Sequence, residues 1–149
     1  MKKSDGSVKL SFAIEIEGDW PPVSSESVWC EHVGYCYRLE NVPFFIEGLA
    51  FGDIFSAVGD LTNGHIFDFE VIEKSGHSVV WMLNNDSLDV SSQLRAFEEI
   101  GCRIEGFPTF SLYSFDIPPS IQLNLFDEII LECEALGLNF AYPTWCFDD

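Results

Sequence analysis

Residues 78–103 read SVVWMLNNDSLDVSSQLRAFEEIGCR, and the hydrophobic period changes part-way along. Val79, Val80, Trp81 and Met82 form a continuous apolar run of strand length, as in a buried strand. Val90, Leu94, Phe97 and Ile100 then recur at helical spacing, with Ser91 or Ser92 placed to cap the helix and Gly101 to end it. Downstream, Arg103 to Ile117 holds two strand-like runs parted at Gly106-Phe107-Pro108, and Pro118-Pro119 stops the second. Phe126, Ile129, Ile130, Cys133 and Leu136 make the apolar stripe of a second helix ended by Gly137, and Asn139 to Tyr142 returns as a last strand. The order strand–helix–strand–strand–helix–strand is that of a ferredoxin-like βαββαβ unit.

Upstream the elements are short and turn-rich. In Val8 to Glu17, Leu10, Phe12, Ile14 and Ile16 share one face, a period of two that predicts a half-buried strand. Gly18-Asp19-Trp20-Pro21-Pro22 breaks it. Val28–Val33 and Tyr35–Leu39 read as strands hinged at Gly34, and Ile54–Val58, Ile66–Glu73 and Ser78–Leu83 continue the series. Asp60-Leu61-Thr62-Asn63-Gly64 carries a turn signal in its Asn-Gly pair. Closely spaced strands with Gly-rich turns predict a small barrel or strongly curled sheet. The expected class is therefore α+β: a small, curled, barrel-like N-terminal lobe packed on a ferredoxin-like C-terminal lobe. Residues 1–149 are expected to form one compact unit, with lobes over about 8–74 and 75–145 and a boundary near Glu73 to His77. No internal repeat or low-complexity segment appears.

Charge narrows the function. The chain has 25 Asp and Glu against 7 Lys and Arg, a net charge of −18, yet 47% of its residues are hydrophobic and 15% aromatic. An acidic disordered tail would lack those aromatics, so the reading is a folded domain with an acid surface. Residues 1–74 carry 13 acidic and 5 basic residues, residues 75–149 carry 12 and 2, and no Lys or Arg follows Arg103. Such a surface repels nucleic acid and anionic lipid and attracts cationic partners from a distance. A chain of this length buries roughly 70% of its unfolded surface. No run of about 18 apolar residues could cross a membrane as a helix, and the basic start is followed by no signal-peptide core because Ser11, Glu15, Glu17 and Asp19 interrupt it. Five cysteines, an odd count without a CxxC pair, read mostly as buried thiols of a cytoplasmic protein.

Catalytic and metal chemistry find little support. Cys30, His32 and Cys36 share strand parity and are soft ligands, but three ligands are not the four of a tetrahedral zinc site, and no second Cys or His pair lies near. His77 and Ser78 are adjacent on a strand and point to opposite faces, so His77 cannot activate that hydroxyl directly. His65 reads as a solvated turn residue. Glu15/Glu17, Asp68/Glu70 and Glu98/Glu99 are close pairs of the kind chance supplies among so many carboxylates. Phosphate loops, a Walker pattern and basic patches are absent. The expectation is a non-enzyme with no catalytic residues, no metal and no cofactor.

The candidate partner-binding residues lie elsewhere. On the second helix Asp127, Glu128, Glu132 and Glu134 flank the apolar stripe, and like charges at i,i+4 weaken an isolated helix by about 0.2–0.5 kcal/mol per pair. Asp127 and Glu128, read as near the helix N-terminus, would be favoured by its dipole. Trp20, next to Asp19 and before Pro21-Pro22, and Trp145 near the acidic end fall in irregular segments, where exposed aromatics ringed by acids suit a basic partner.

Tyr37-Arg38-Leu39-Glu40-Asn41-Val42-Pro43-Phe44-Phe45, Gly48-Leu49-Ala50-Phe51-Gly52-Asp53 and Lys74-Ser75-Gly76-His77-Ser78 resemble the segments of the bacterial domain-of-unknown-function family DUF4265. Ile100-Gly101-Cys102 and Asp116-Ile117-Pro118-Pro119 extend the likeness, which runs from about Ser27 to Leu138. The family has no established enzyme activity, so the resemblance transfers no catalytic residue. Some of its acidic members look like immunity proteins encoded beside interbacterial toxins, nuclease toxins among them. The shared residues read as scaffold: Pro43 and the glycines set turns, Asp53 bonds turn backbone, and Arg38 pairs with a buried carboxylate. Charge and resemblance together lead to a cytoplasmic immunity protein that neutralises a basic toxin domain by acidic occlusion of its active site, binding neither nucleic acid nor membrane. The alternative is a housekeeping small-ligand or protein-binding module that uses the lobe interface as a pocket.

Overall fold

The computed structural model describes residues 7–59 and 64–147; of the expected turn at 60–64, all but Gly64 lies outside them. The chain divides into two units, Met1–Ser75 and Gly76–Asp149.

In the first unit β1 (Ser7–Ala13), β2 (Ser25–Val33), β3 (Cys36–Leu39), β4 (Ile54–Gly59) and β5 (Ile66–Glu73) close into a barrel in that order. The ladders are antiparallel except for the closing contact of β1 with β5, which is parallel and consists of one residue pair, Phe12 with Ile66. Alternation sends Phe12, Val28, Cys30, Leu39, Phe55 and Ile66 inward, where Ile46 and Leu49 of the connecting loop join them. Phe12, Phe55 and Phe69 meet at ring separations of 5.6–6.1 Å. β1 is shorter than its apolar alternation suggests. The Ile14 N–H turns back to the Ser24 carbonyl, Glu17 and Trp20 close a tight bridge, and Ile16 is left 46% exposed.

In the second unit β6 (Ser78–Leu83), β7 (Arg103–Phe107), β8 (Leu112–Ile117) and β9 (Asn139–Thr144) form an antiparallel sheet in the order β7-β8-β6-β9. Two helices accompany it, α1 (Ser91–Glu99) and α2 (Leu123–Ala135), with a short 3-10 turn at Pro108–Phe110. Phe97 of α1 and Phe126, Ile129, Ile130 and Cys133 of α2 join Val80, Met82, Phe115 and Ile117 of the sheet in one core. Each large apolar side chain so buried contributes about 1.5–3 kcal/mol.

This architecture corrects the expected ferredoxin-like C-terminal lobe, and it meets the expected α+β class only loosely. The described chain is mostly β, 43% strand against 18% helix, and only one of the two helices sits in a ferredoxin-like arrangement. The helical stripes are real but short, at 9 and 13 residues, and antiparallel pairing organises the rest. Two smaller readings also change. Neither Ser91 nor Ser92 caps α1: its N-cap is Val90, and Asp89 takes the Ser91 N–H and hydroxyl, a contact that holds the Asp89 carboxyl below its usual range. Leu136, assigned to the buried stripe of α2, is 51% exposed.

Candidate functional site

The residues of the family-like segments meet in pairs, and each pair fixes backbone. Within the barrel Asp53 is buried: its Oδ2 accepts the Ala50 N–H at 2.9 Å, and its Oδ1 accepts the Ser75 N–H at 2.9 Å and hydroxyl at 3.1 Å. Gly52 stands beside it at φ +86°, and a Cβ there would lie 3.1 Å from the Ser75 Cβ. Both the left-handed backbone and the close approach require glycine. Asn41 accepts the Trp29 N–H. Glu26, which the sequence does not mark, accepts the N–H groups of Phe44 and Phe45, each at 2.8 Å. Burial pushes its carboxyl above the ordinary 4.5, and those backbone bonds, with one from Ile46, oppose the rise. Arg38 departs from expectation. It reaches across β2 and β3 to Glu31 at 3.1 Å, a half-exposed surface pair rather than a buried one.

In the second unit two further segments meet. His77 Nδ1 lies 2.7 Å from Asp116 Oδ1, with the aspartate buried and the imidazole mostly so. Burial pushes the Asp116 carboxyl above its ordinary value, and the bond to His77, the His77 charge and Arg103 oppose it. The Ser78 hydroxyl accepts the Cys146 N–H at 2.8 Å and ties down the chain after β9. His77 and Ser78 thus hold different parts of the fold.

The thiols are all free. Burial, with nearby carboxylates, pushes Cys30 and Cys102 up to about 12 and Cys133 to about 11. Cys30 is buried, His32 stacks on Tyr37 at 5.0 Å, and Cys36 is half-buried. No cluster of three or more His, Cys, Asp or Glu suited to a metal ion occurs among the described residues.

The acidic residues singled out on α2 are brought together. With Phe126, Ile129, Ile130 and Cys133 turned inward, Asp127, Glu128, Glu132 and Glu134 are all exposed on the opposite side. Leu131 stands among them, 66% exposed. The first turn of α2 contains no acid, so Asp127 and Glu128 begin beyond the reach of the dipole that was expected to favour them. Tyr142 of β9, 47% exposed, borders this face. Its phenol is pushed up by burial and by the Glu134 and Asp127 carboxylates. Trp145 is half-buried against Phe126, Tyr142 and Phe147, at centroid distances of 5.0–6.1 Å. Trp20 and Asp19 belong to the first unit, where Trp20 is 42% exposed and packs edge-on against Phe45 at 5.8 Å. Leu131 and Tyr142 were missed from the sequence: Leu131 carries no charge to mark it within an acidic helix face, and Tyr142 comes from a different element, β9.

A family model described as a domain of unknown function, DUF4265, matches residues 26–139. The chain belongs to the DUF4265 family. The matched span contains Asp53 with Ser75 and His77 with Asp116, so family membership and internal bonding coincide. Among curated proteins none matches. A crystal structure of a hypothetical protein from Neisseria gonorrhoeae is similar at a TM-score of 0.72, with 18% identity over 95% of this chain and 98% of that one. At that identity the likeness concerns the fold. No helix among the described residues is long and apolar enough to cross a membrane.

Proposed function

We propose that this DUF4265 protein is an immunity protein of the cytoplasm that binds a basic interbacterial toxin, a nuclease effector domain, and covers its active site. The observation that carries the reading is the outward face of α2, where four carboxylates flank the exposed Leu131, and Tyr142 lies beside Asp127 and Glu134, with no Lys or Arg after Arg103. Anion-binding clefts of nucleases are built for phosphates, and clustered carboxylates present the same charge to the same cations. The net charge of −18 adds long-range attraction, which raises association rates. An apolar residue ringed by charge is a usual form of interface anchor.

Co-expression with the toxin encoded beside this gene, followed by affinity capture, tests the reading directly. The complex is expected to form, and its association rate is expected to fall as salt rises. Leu131→Ala and Glu128→Lys are each expected to weaken it by about tenfold. Failure to capture the neighbouring toxin sinks the proposal, and a rate indifferent to salt removes its steering component.

A further inference from the structure

The barrel closes through one residue pair and then opens. Parallel register from Phe12 with Ile66 would set Ala13 against Phe67, and β1 ends at Ala13. From Asp68 to Glu73, β5 pairs with β4 on one side, and among the described residues no strand pairs with the other. Natural edges of this kind are usually shielded by charged side chains, above all Lys, by Pro, by β-bulges or by being very short. β5 is eight residues long and reads IFDFEVIE, without Lys or Pro, so its shields are its own acids and two register shifts. Acids repel a like-charged strand but not a basic one.

The register of β4 with β5 shifts twice, and the skipped residues are Phe67 and Ile72. A bulge re-aims the residue it adds. Here both added residues are large and apolar, 62% and 56% exposed. Between them Asp68 and Glu70 are also exposed, while Phe69 and Val71 are less so. The exposed residues of the open edge therefore run apolar, acid, acid, apolar, acid, from Phe67 to Glu73. A second copy would set acid against acid, which destabilises a ladder, whereas a basic strand would pair favourably at both positions.

We infer that the open edge of β5 accepts an extended basic segment of another protein by strand addition, with cationic side chains at alternate positions over Asp68 and Glu70 and apolar ones against Phe67 and Ile72. The inference rests on the barrel alone and does not depend on the acidic face of α2.

The test uses the full chain and a synthetic peptide of alternating lysine and valine with leucine at each end. Hydrogen exchange and amide chemical shifts are followed through the titration. Protection is expected to appear at residues 67–73, and a peptide N-methylated at alternate positions is expected to bind about tenfold more weakly. The double variant Asp68→Lys, Glu70→Lys, checked for folding by circular dichroism, is expected to lose a similar factor. Equal binding of the N-methylated peptide overturns strand addition. Protection confined to α2, or dimerisation of the chain in place of peptide binding, overturns the inference as a whole.

Discussion

Both carboxylate oxygens of Asp53 are engaged within the barrel, by Ala50 on one side and Ser75 on the other. Asp53→Ala leaves those donors without their acceptor, at a cost of about 1–3 kcal/mol for each group so stranded. A loss of at least about 2 kcal/mol is expected in urea denaturation; an unchanged midpoint contradicts the clamp. Asp116 makes a different prediction, in pH. Its folded value stands above the ordinary 3.8 because burial outweighs His77 and Arg103. The native state therefore holds that proton more tightly than the unfolded chain. Its contribution to stability is full below the ordinary value and is lost as pH rises through the raised one. The stability difference between wild type and Asp116→Asn should fall over that acid window. Parallel curves would show that the buried carboxyl does not titrate as described.

At the scale of the element, α2 combines two demands. Its inner side is core, and Phe126→Ala is expected to cost about 3–5 kcal/mol. Its outer side sets Glu128 and Glu132 one turn apart with like charge, so Glu132→Lys exchanges repulsion for attraction and should gain about 0.5 kcal/mol in thermal or denaturant stability. The same change is expected to weaken the toxin complex, and a variant that gains both stability and affinity would contradict the assignment of this face. The elements themselves were largely legible, because the period of two stands out in Leu10 and Phe12, the continuous apolar run in Val79–Met82 and the helical stripes in Phe97 and Ile129–Ile130. The rest depended on facts remote in sequence. Nothing local says that β1 must stop at Ala13 so that Ile14 can reach Ser24. Nor does anything local say that Phe67 and Ile72 fall at register shifts and turn outward. The mostly β balance followed from such long-range pairing, and so did the surface setting of Arg38. On the candidate face the acids were legible from composition and spacing, whereas Tyr142 reaches it only because β9 lies beside α2 in the fold.

Across the whole molecule the charge of −18 sets a background of self-repulsion. Screening relieves it, so the melting temperature is expected to rise as salt increases from low millimolar to physiological strength. A melting temperature that falls over this range would place the dominant charge interactions in attractive pairs instead. The cysteines distribute with equal economy. Three are buried with thiols lifted to about 11 or 12, and the half-buried ones are Cys36 in the first unit and Cys146 in the second. Since the thiolate is the reactive form, a maleimide should add twice to the native chain and five times after denaturation, read as intact mass; a third rapid adduct would contradict this. The wild-type sequence would then offer one chemical address on each unit. A donor and acceptor dye placed there would report, without any mutation, how the separation of the two units responds when a partner binds.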